Sequence, residues 1–323
     1  MKFLYPYIIA CVVVICGCAK NKPPLPFDSI LIADSISIQQ IAFATNSHAF
    51  AVGGIAREYG CIYKTTNGGT QWNIVETTVS RMNSVFLHDQ SNGVFCGDEQ
   101  EKDKLCIYRL ENDSLINMIH TNIWTACNLQ NIAFIDSLHG FIVGEKEHGV
   151  GYVYRTKDGA KTWQNERFVH FGFSAIDIFD SQNIVVSGHG GIVQLEPDGI
   201  THTFAHIEND IFTDITYISE SVCVASGYSG SVYRSIDGGT HWKQVYKHGL
   251  FSKKHWNAIH FVNAQHGFIC GENAMLLETK NGGASWELHT LQFNGDLNCV
   301  TSQNNVLYIG TSKGVILTIP NIL

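Results

Sequence analysis

The sequence predicts an all-β fold: a seven-bladed β-propeller of four-stranded antiparallel blades, closed into a ring by an N-terminal strand. Three observations predict it. A turn motif recurs four times, at 65–72 (TTNGGTQW), 156–163 (TKDGAKTW), 235–242 (SIDGGTHW) and 279–286 (TKNGGASW). A longer pattern, two apolar runs joined by a polar turn and ending in Gly, recurs seven times and closes at Gly53, Gly97, Gly144, Gly188, Gly227, Gly271 and Gly310. These glycines are 44, 47, 44, 39, 44 and 39 residues apart, a period near the roughly 40–45 residues of a propeller blade. Composition agrees. Charged residues are 15% of the chain, with 30 Gly and only 6 Pro, against roughly 25% charged in average globular proteins.

The N-terminus is a different kind of text. Lys2 precedes an apolar stretch, 3–16, and then Ile15-Cys16-Gly17-Cys18. This run resembles the lipobox of bacterial lipoproteins. The resemblance implies cleavage before Cys18, a diacylglycerol on its thiol, and a place in the bacterial cell envelope, periplasmic or on the surface. The competing reading is an uncleaved anchor, but the stretch is short for a spanning helix, which needs about 20 residues. Residues 1–17 are therefore expected to be a signal peptide. Residues 18–27 are the lipidated Cys and a Pro-rich tether (AKNKPPLP), and 28–323 are the propeller.

Each repeat unit is expected to contain strand A (IAF-like), strand B (GFIVG-like), strand C (VYRT-like), the turn motif, and strand D. The seventh unit ends with the chain just after its strand C. Residues 29–35 (SILIADS) precede the first strand A without a partner, so they are expected to supply the missing outer strand and leave no open edge.

Within the turn motif, Asx-Gly between two strand-like runs signals a hairpin. Thr65, Asn67, Gly69 and Trp72 form the first instance, and Thr156, Asp158 and Trp163 the second. Ser235, Asp237, Gly239 and Trp242 form the third, and Thr279, Asn281, Gly283 and Trp286 the fourth. The Asx side chain caps backbone N–H groups, Gly supplies positive φ, and Trp covers the turn. Ala160 stands where the other motifs have Gly, so mild left-handed strain is expected there. These are structural residues, and turn chemistry accounts for every position without a metal.

No catalytic or cofactor motif stands out. Fifteen histidines form no HExxH pair, the cysteines form no CxxC zinc pattern, and GHGG at 188–191 precedes no helix. No metal and no cofactor are expected. Past the signal region remain Cys61, Cys96, Cys106, Cys127, Cys223, Cys270 and Cys299. They read as small core residues, with a Cys96–Cys106 cross-strand bridge conceivable. A net charge of −8 argues against nucleic-acid binding, which wants a basic face.

The turn motif resembles the Asp-box (BNR) repeat, also found in bacterial sialidases. The whole unit, over about 38–318, is similar to the photosystem II stability/assembly factor family. That resemblance implies a seven-bladed propeller that binds assembly partners and catalyses nothing. The sialidase alternative needs three arginines clamping a carboxylate, a Tyr–Glu pair and an acid/base Asp. Six arginines are present, and Arg155 and Arg234 are strand C repeat residues like Lys64. The expected function is thus a non-enzymatic, membrane-tethered binding scaffold with a protein partner. A carbohydrate-binding or glycosidase propeller acting on glycans is the alternative.

Loops carry function on rigid scaffolds. The D–A and B–C loops share one face, opposite the Asp-boxes. Expected binding residues there are Arg81, Trp124, His170 and Phe212, then Lys254, His255, Trp256 and Tyr228. Exposed Trp and Arg are frequent interface anchors.

Overall fold

The computed structural model describes residues 25–101, 104–118, 128–146, 149–168, 171–195, 201–249 and 254–322. Among them lie 26 strands and one short 3₁₀ turn, Glu272–Ala274. No helix there is long and apolar enough to cross a membrane. Cys18, Trp124, Cys127 and His170 lie outside the described residues.

All pairings between strands are antiparallel, and five of the sheets have four strands, each an A–B–C–D blade. The N-terminal strand Asp28–Leu31 pairs with Val315–Pro320 in the register Asp28↔Thr318 to Leu31↔Val315. The first and last segments of the propeller thus share one blade, as the orphan run at 29–35 led one to expect.

Among the described residues the sheets number six, one fewer than the seven blades expected, because the fourth and fifth units run together into a six-stranded sheet. The reason is local. Thr201–Ser219 is continuous over 19 residues. Its first part pairs with 189–195, and its second with the strand Val222–Gly227. The connection that bends away as a loop elsewhere is extended here.

The innermost strands share one irregularity. A β-bulge falls after Ile38, Met82, Leu129, Phe173, Phe212, Trp256 and Leu297. Those seven residues are all apolar and essentially fully buried. The inserted residues are all polar: Gln39, Asn83, Gln130, Ser174, Thr213, Asn257 and Asn298. A bulge bends and twists its strand and re-aims a side chain.

An inner strand is also a sheet edge, with backbone groups that must find partners. Side chains of the preceding unit supply them. Val85 N–H donates to Gln40 Oε1 at 2.7 Å, Ile132 N–H to Ser84 Oγ at 3.2 Å, and Ile176 N–H to Asn131 Oδ1 at 3.2 Å. Tyr217 N–H donates to Asp177 Oδ2 and Ile259 N–H to Asp214 Oδ2, both at 2.7 Å. Asn257 Nδ2 then donates to Leu297 O at 2.8 Å, and Asn298 Nδ2 to Ile38 O at 3.1 Å. The last bond returns to the first inner strand and completes the circuit. Each spans roughly one repeat, so the ring is stapled from strand to strand around its centre.

The Asp-boxes sit at the outer C–D turns. Thr65 Oγ1 donates to Asn67 Oδ1 and accepts from Gly69 N–H, while Gln71 N–H donates to Asn67 Oδ1. Trp72 Nε1 donates to Gly69 O at 3.0 Å. The other three boxes repeat the hydroxyl and Asx bonds. Ala160 adopts φ 64°, matching Gly69 at 85°, so the expected left-handed alanine is present. The boxes also bind neighbours: Tyr308 Oη donates to Gly68 O, Arg234 Nε to Gly282 O, and Gln194 Nε2 to Gly238 O.

Cys61, Cys96, Cys106, Cys223, Cys270 and Cys299 are buried thiols outside any disulfide. No Cys96–Cys106 bridge forms; Cys106 Sγ instead lies 3.5 Å from Met82 Sδ. In the core they act as small apolar residues.

Candidate functional site

The bulged strands surround a central cavity of about 630 Å³. Its wall carries Gln39, Gln40, Asn83, Gln130, Asn131, Ser174, Thr213, Asn257 and Asn298, and its loop-face end carries Arg81, Glu145, His189 and Tyr228. A polar, open channel of this kind suits a wet, hydrogen-bonding ligand better than an apolar one.

At the mouth, Arg81 is held in place. Its Nε donates to Asn83 Oδ1 at 3.0 Å and lies 3.3 Å from Asp98 Oδ2. Asp98 also accepts from Asn83 Nδ2 at 2.8 Å, which fixes the buried carboxylate. Glu145 pairs with His189 across 3.4 Å. Tyr228 packs edge-on against His255 with ring centroids 4.5 Å apart, and its carbonyl contacts His255 Nδ1. His255 reaches Glu272 at 3.8 Å. Burial raises the Tyr228 hydroxyl pKa, the fields of Glu145 and Glu272 raise it further, and Arg81 lowers it in part. The phenol therefore stays protonated, with its O–H available to donate a hydrogen bond.

Not every residue expected at the binding face is there. Arg81 and Tyr228 line the cavity mouth, while Lys254 and His255 are half-buried beside it. Trp256 and Phe212 are corrections. Both are 0% exposed, because each is the apolar residue that precedes a bulge and packs between blades. Trp256 lies with Val224, Val232, Ile269 and Leu277, and Phe212 with Ile192, Ala225 and Tyr233. Phe171, next in the chain to His170, is buried against Phe173.

The sequence reading missed two acids, Asp177 and Asp214. Both line the cavity and both are strand-to-strand staples. Asp214 takes N–H groups from Ile215 and Ile259. Burial still pushes its carboxyl up to about 7, those hydrogen bonds pull it down, and the field of Asp177 raises it. Burial likewise raises Asp177. They stand at different places in their strands, Asp214 just before Ile215 and Asp177 just after Ile176, so no shared repeat position signalled them.

A carboxyl whose folded pKa is raised binds more protons when folded. Its contribution to stability is fully present below the ordinary value of 3.8 and is lost as pH rises through about 7. Between pH 5.5 and 8 that loss is about 2 kcal/mol, so the melting temperature should fall by about 4 °C, at roughly 2 °C per kcal/mol for a chain of this size. In Asp214→Asn, which keeps one acceptor oxygen, thermal unfolding across the same range should show less than half that decline. An unchanged slope would refute the assignment.

Residues 247–323 match the model of the Photosynthesis system II assembly factor YCF48 family. None of the curated proteins matches the chain. Among solved structures, "YCF48 bound to D1 peptide" superposes with a TM-score of 0.71 at 14% identity, covering 93% of this chain and 96% of that one. YCF48 from Cyanidioschyzon merolae gives 0.69 at 11% identity, with coverage of 91% and 98%. The WD40 β-propeller domain of Doa1 gives 0.68 at 13% identity, with coverage of 91% and 96%. The chain is thus a β-propeller that resembles photosystem II assembly factors.

Proposed function

We propose that this assembly-factor-like propeller is a non-enzymatic scaffold, tethered to a membrane in the bacterial cell envelope by a lipid on Cys18, that seats a segment of a partner protein across the loop-face mouth of its channel. The observation that carries the reading is that mouth: Arg81, Glu145, His189, Tyr228 and His255 gather at one end of a polar channel. A similar propeller is known in complex with a D1 peptide, which supports a peptide-like occupant here. The ring is read as seven units, with the six-stranded sheet as two fused blades, since seven bulged inner strands encircle the channel. An experimental structure showing six lobes down the channel axis would refute the seventh.

The glycosidase alternative is disfavoured. Among the described residues, Arg81 alone of the arginines lines the channel. Arg109 pairs with Glu111, and Arg234 donates to the Gly282 carbonyl. Tyr228, the tyrosine at the mouth, has its ionisation suppressed, the opposite of what a tyrosine nucleophile requires.

The test is co-precipitation from detergent-solubilised membranes. Tyr228→Ala with His255→Ala should weaken partner capture at least about tenfold, the weight of one interface anchor. Asp237→Ala, in an Asp-box, should lower stability by about 1 kcal/mol through the lost cap and keep the partner. Cys18→Ser should move the protein to the soluble fraction, since acyl chains supply the anchorage. Loss of the partner in Asp237→Ala at full stability, or membrane retention of Cys18→Ser, would contradict the proposal.

A further inference from the structure

The geometry points to a binding site for a divalent first-row transition cation on the outer half of the sixth repeat unit, formed by Glu278, Glu287 and His289, with His266 positioning Glu278. It is independent of the channel and of the proposed function.

The site departs from the repeat. Strand C residues in equivalent register are Lys64, Arg109, Arg155 and Arg234, facing Phe50, Val94, Phe141 and Val224 on strand B. In the sixth unit the same register, opposite Phe268, holds Glu278. Across the outer pairing it faces a second acid, Glu287. Like charges directly opposite in a sheet destabilise it, and where the fifth unit sets Arg234 against Lys243 at this register, the sixth reverses the sign and sets two acids face to face. His289 lies two residues along on the same face, since residues i and i+2 of a strand share a face.

The donor atoms already converge. Ligand atoms of Glu278, Glu287 and His289 all lie within 4.8 Å of one another. His289 Nε2 is 3.1 Å from Glu278 Oε2. Zinc–nitrogen and zinc–oxygen bonds of about 2.0–2.2 Å in a tetrahedron place ligand atoms roughly 3.3 Å apart, so this pair needs almost no movement. Glu287 is exposed, and its carboxylate already lies within 4.8 Å of the other two ligand atoms. His266 Nε2 lies 2.8 Å from the other oxygen, Glu278 Oε1, and acts as the outer partner that orients a ligating carboxylate. Lys280, at 3.1 Å from the same oxygen and 74% exposed, can swing into solvent. A cavity of about 240 Å³ bordered by Glu278, Glu287, Asn281 and Trp286 leaves room for coordinated water. One imidazole with two carboxylates suits Zn²⁺ or Mn²⁺ better than the all-oxygen preference of Mg²⁺ or Ca²⁺.

The test is equilibrium dialysis of the full chain against Zn²⁺, with circular dichroism to check folding. One Zn²⁺ per chain is expected. Glu278→Gln or His289→Ala should weaken affinity by about 100-fold or more, and His266→Gln by about 10- to 100-fold, as outer-shell changes do. Glu287→Gln, on the exposed strand, keeps the test alive if Glu278→Gln misfolds, and should weaken affinity at least about tenfold. His139→Ala, in the equivalent turn of another unit, should bind normally. Failure to bind one Zn²⁺, equal binding by folded His289→Ala or Glu287→Gln, or equal loss in His139→Ala would overturn the site.

Discussion

Removal of residues 27–35 is expected to lower the melting temperature by about 10 °C or to prevent folding altogether. The strand Asp28–Leu31 covers the edge of Val315–Pro320 through four paired residues. Ile32 N–H and Ala33 N–H also bond to Gly314 O at 2.9 and 3.3 Å. Ile30, Ile32 and Ala33 pack onto the core that holds Ile36, Ile38 and Ile316, and Phe27 packs onto the next. Several hydrogen bonds at roughly 1 kcal/mol each, with partial burial of three large side chains, amount to about 5 kcal/mol. At about 2 °C per kcal/mol for a chain this long, that gives the stated drop. The loss is larger than for a terminal strand on an open sheet, because it reopens the blade that joins the two ends of the ring. Differential scanning calorimetry of the truncated and full domains is the measurement. Melting within a degree or two of each other would mean the N-terminal strand is dispensable.

Trp256→Ala is the second large effect. Trp256 is fully buried against Val224, Ile269 and Leu277, with Tyr246 and His248 edge-on at 6.0 and 6.2 Å. Truncating a buried tryptophan leaves a cavity and costs about 3–5 kcal/mol, or about 6–10 °C here. Its indole N–H has no hydrogen-bond partner. Trp256→Phe, which removes that orphan donor, should therefore recover most of the loss. Denaturant unfolding of both variants is decisive. An alanine variant as stable as the parent would return Trp256 to the solvent-facing role its position in the sequence suggested.

That tryptophan shows where sequence reading stops. The Asp-box was legible because the hydrogen bonds that shape its turn are local, as between Thr65, Asn67, Gly69 and Trp72. The ring seam was legible because an orphan strand at one end matched a missing one at the other. Trp256 and Phe212 were misplaced because a bulge disrupts the alternation of a strand. In Ile38-Gln39-Gln40-Ile41 the two apolar residues stand three apart, so the strand looks as if it begins at the second. The first then reads as loop, although it is the more deeply buried of the two. The staples of Asp177 and Asp214 were invisible for another reason. Their partners lie 40 to 45 residues away, and nothing local marks a buried acceptor. The sheet count differed because the unboxed fourth unit lacks the turn that ends its outer strand elsewhere, and one strand runs on from Thr201 to Ser219. At the mouth, Arg81 and Tyr228 were recognisable as loop-face residues. Their grouping with Glu145, His189 and Glu272 depends on bringing several repeat units together.

The central claim is that partners are read at the loop-face mouth while the Asp-boxes only build the ring. Site-specific photocrosslinking in intact membranes tests it most directly. A photoreactive amino acid replaces Tyr228 in one variant and His241 in another. The second position is 86% exposed in an Asp-box on the opposite face. The account predicts that the co-precipitating partner is captured from position 228 and not from position 241. Capture from 241, or equal capture from both, would contradict it.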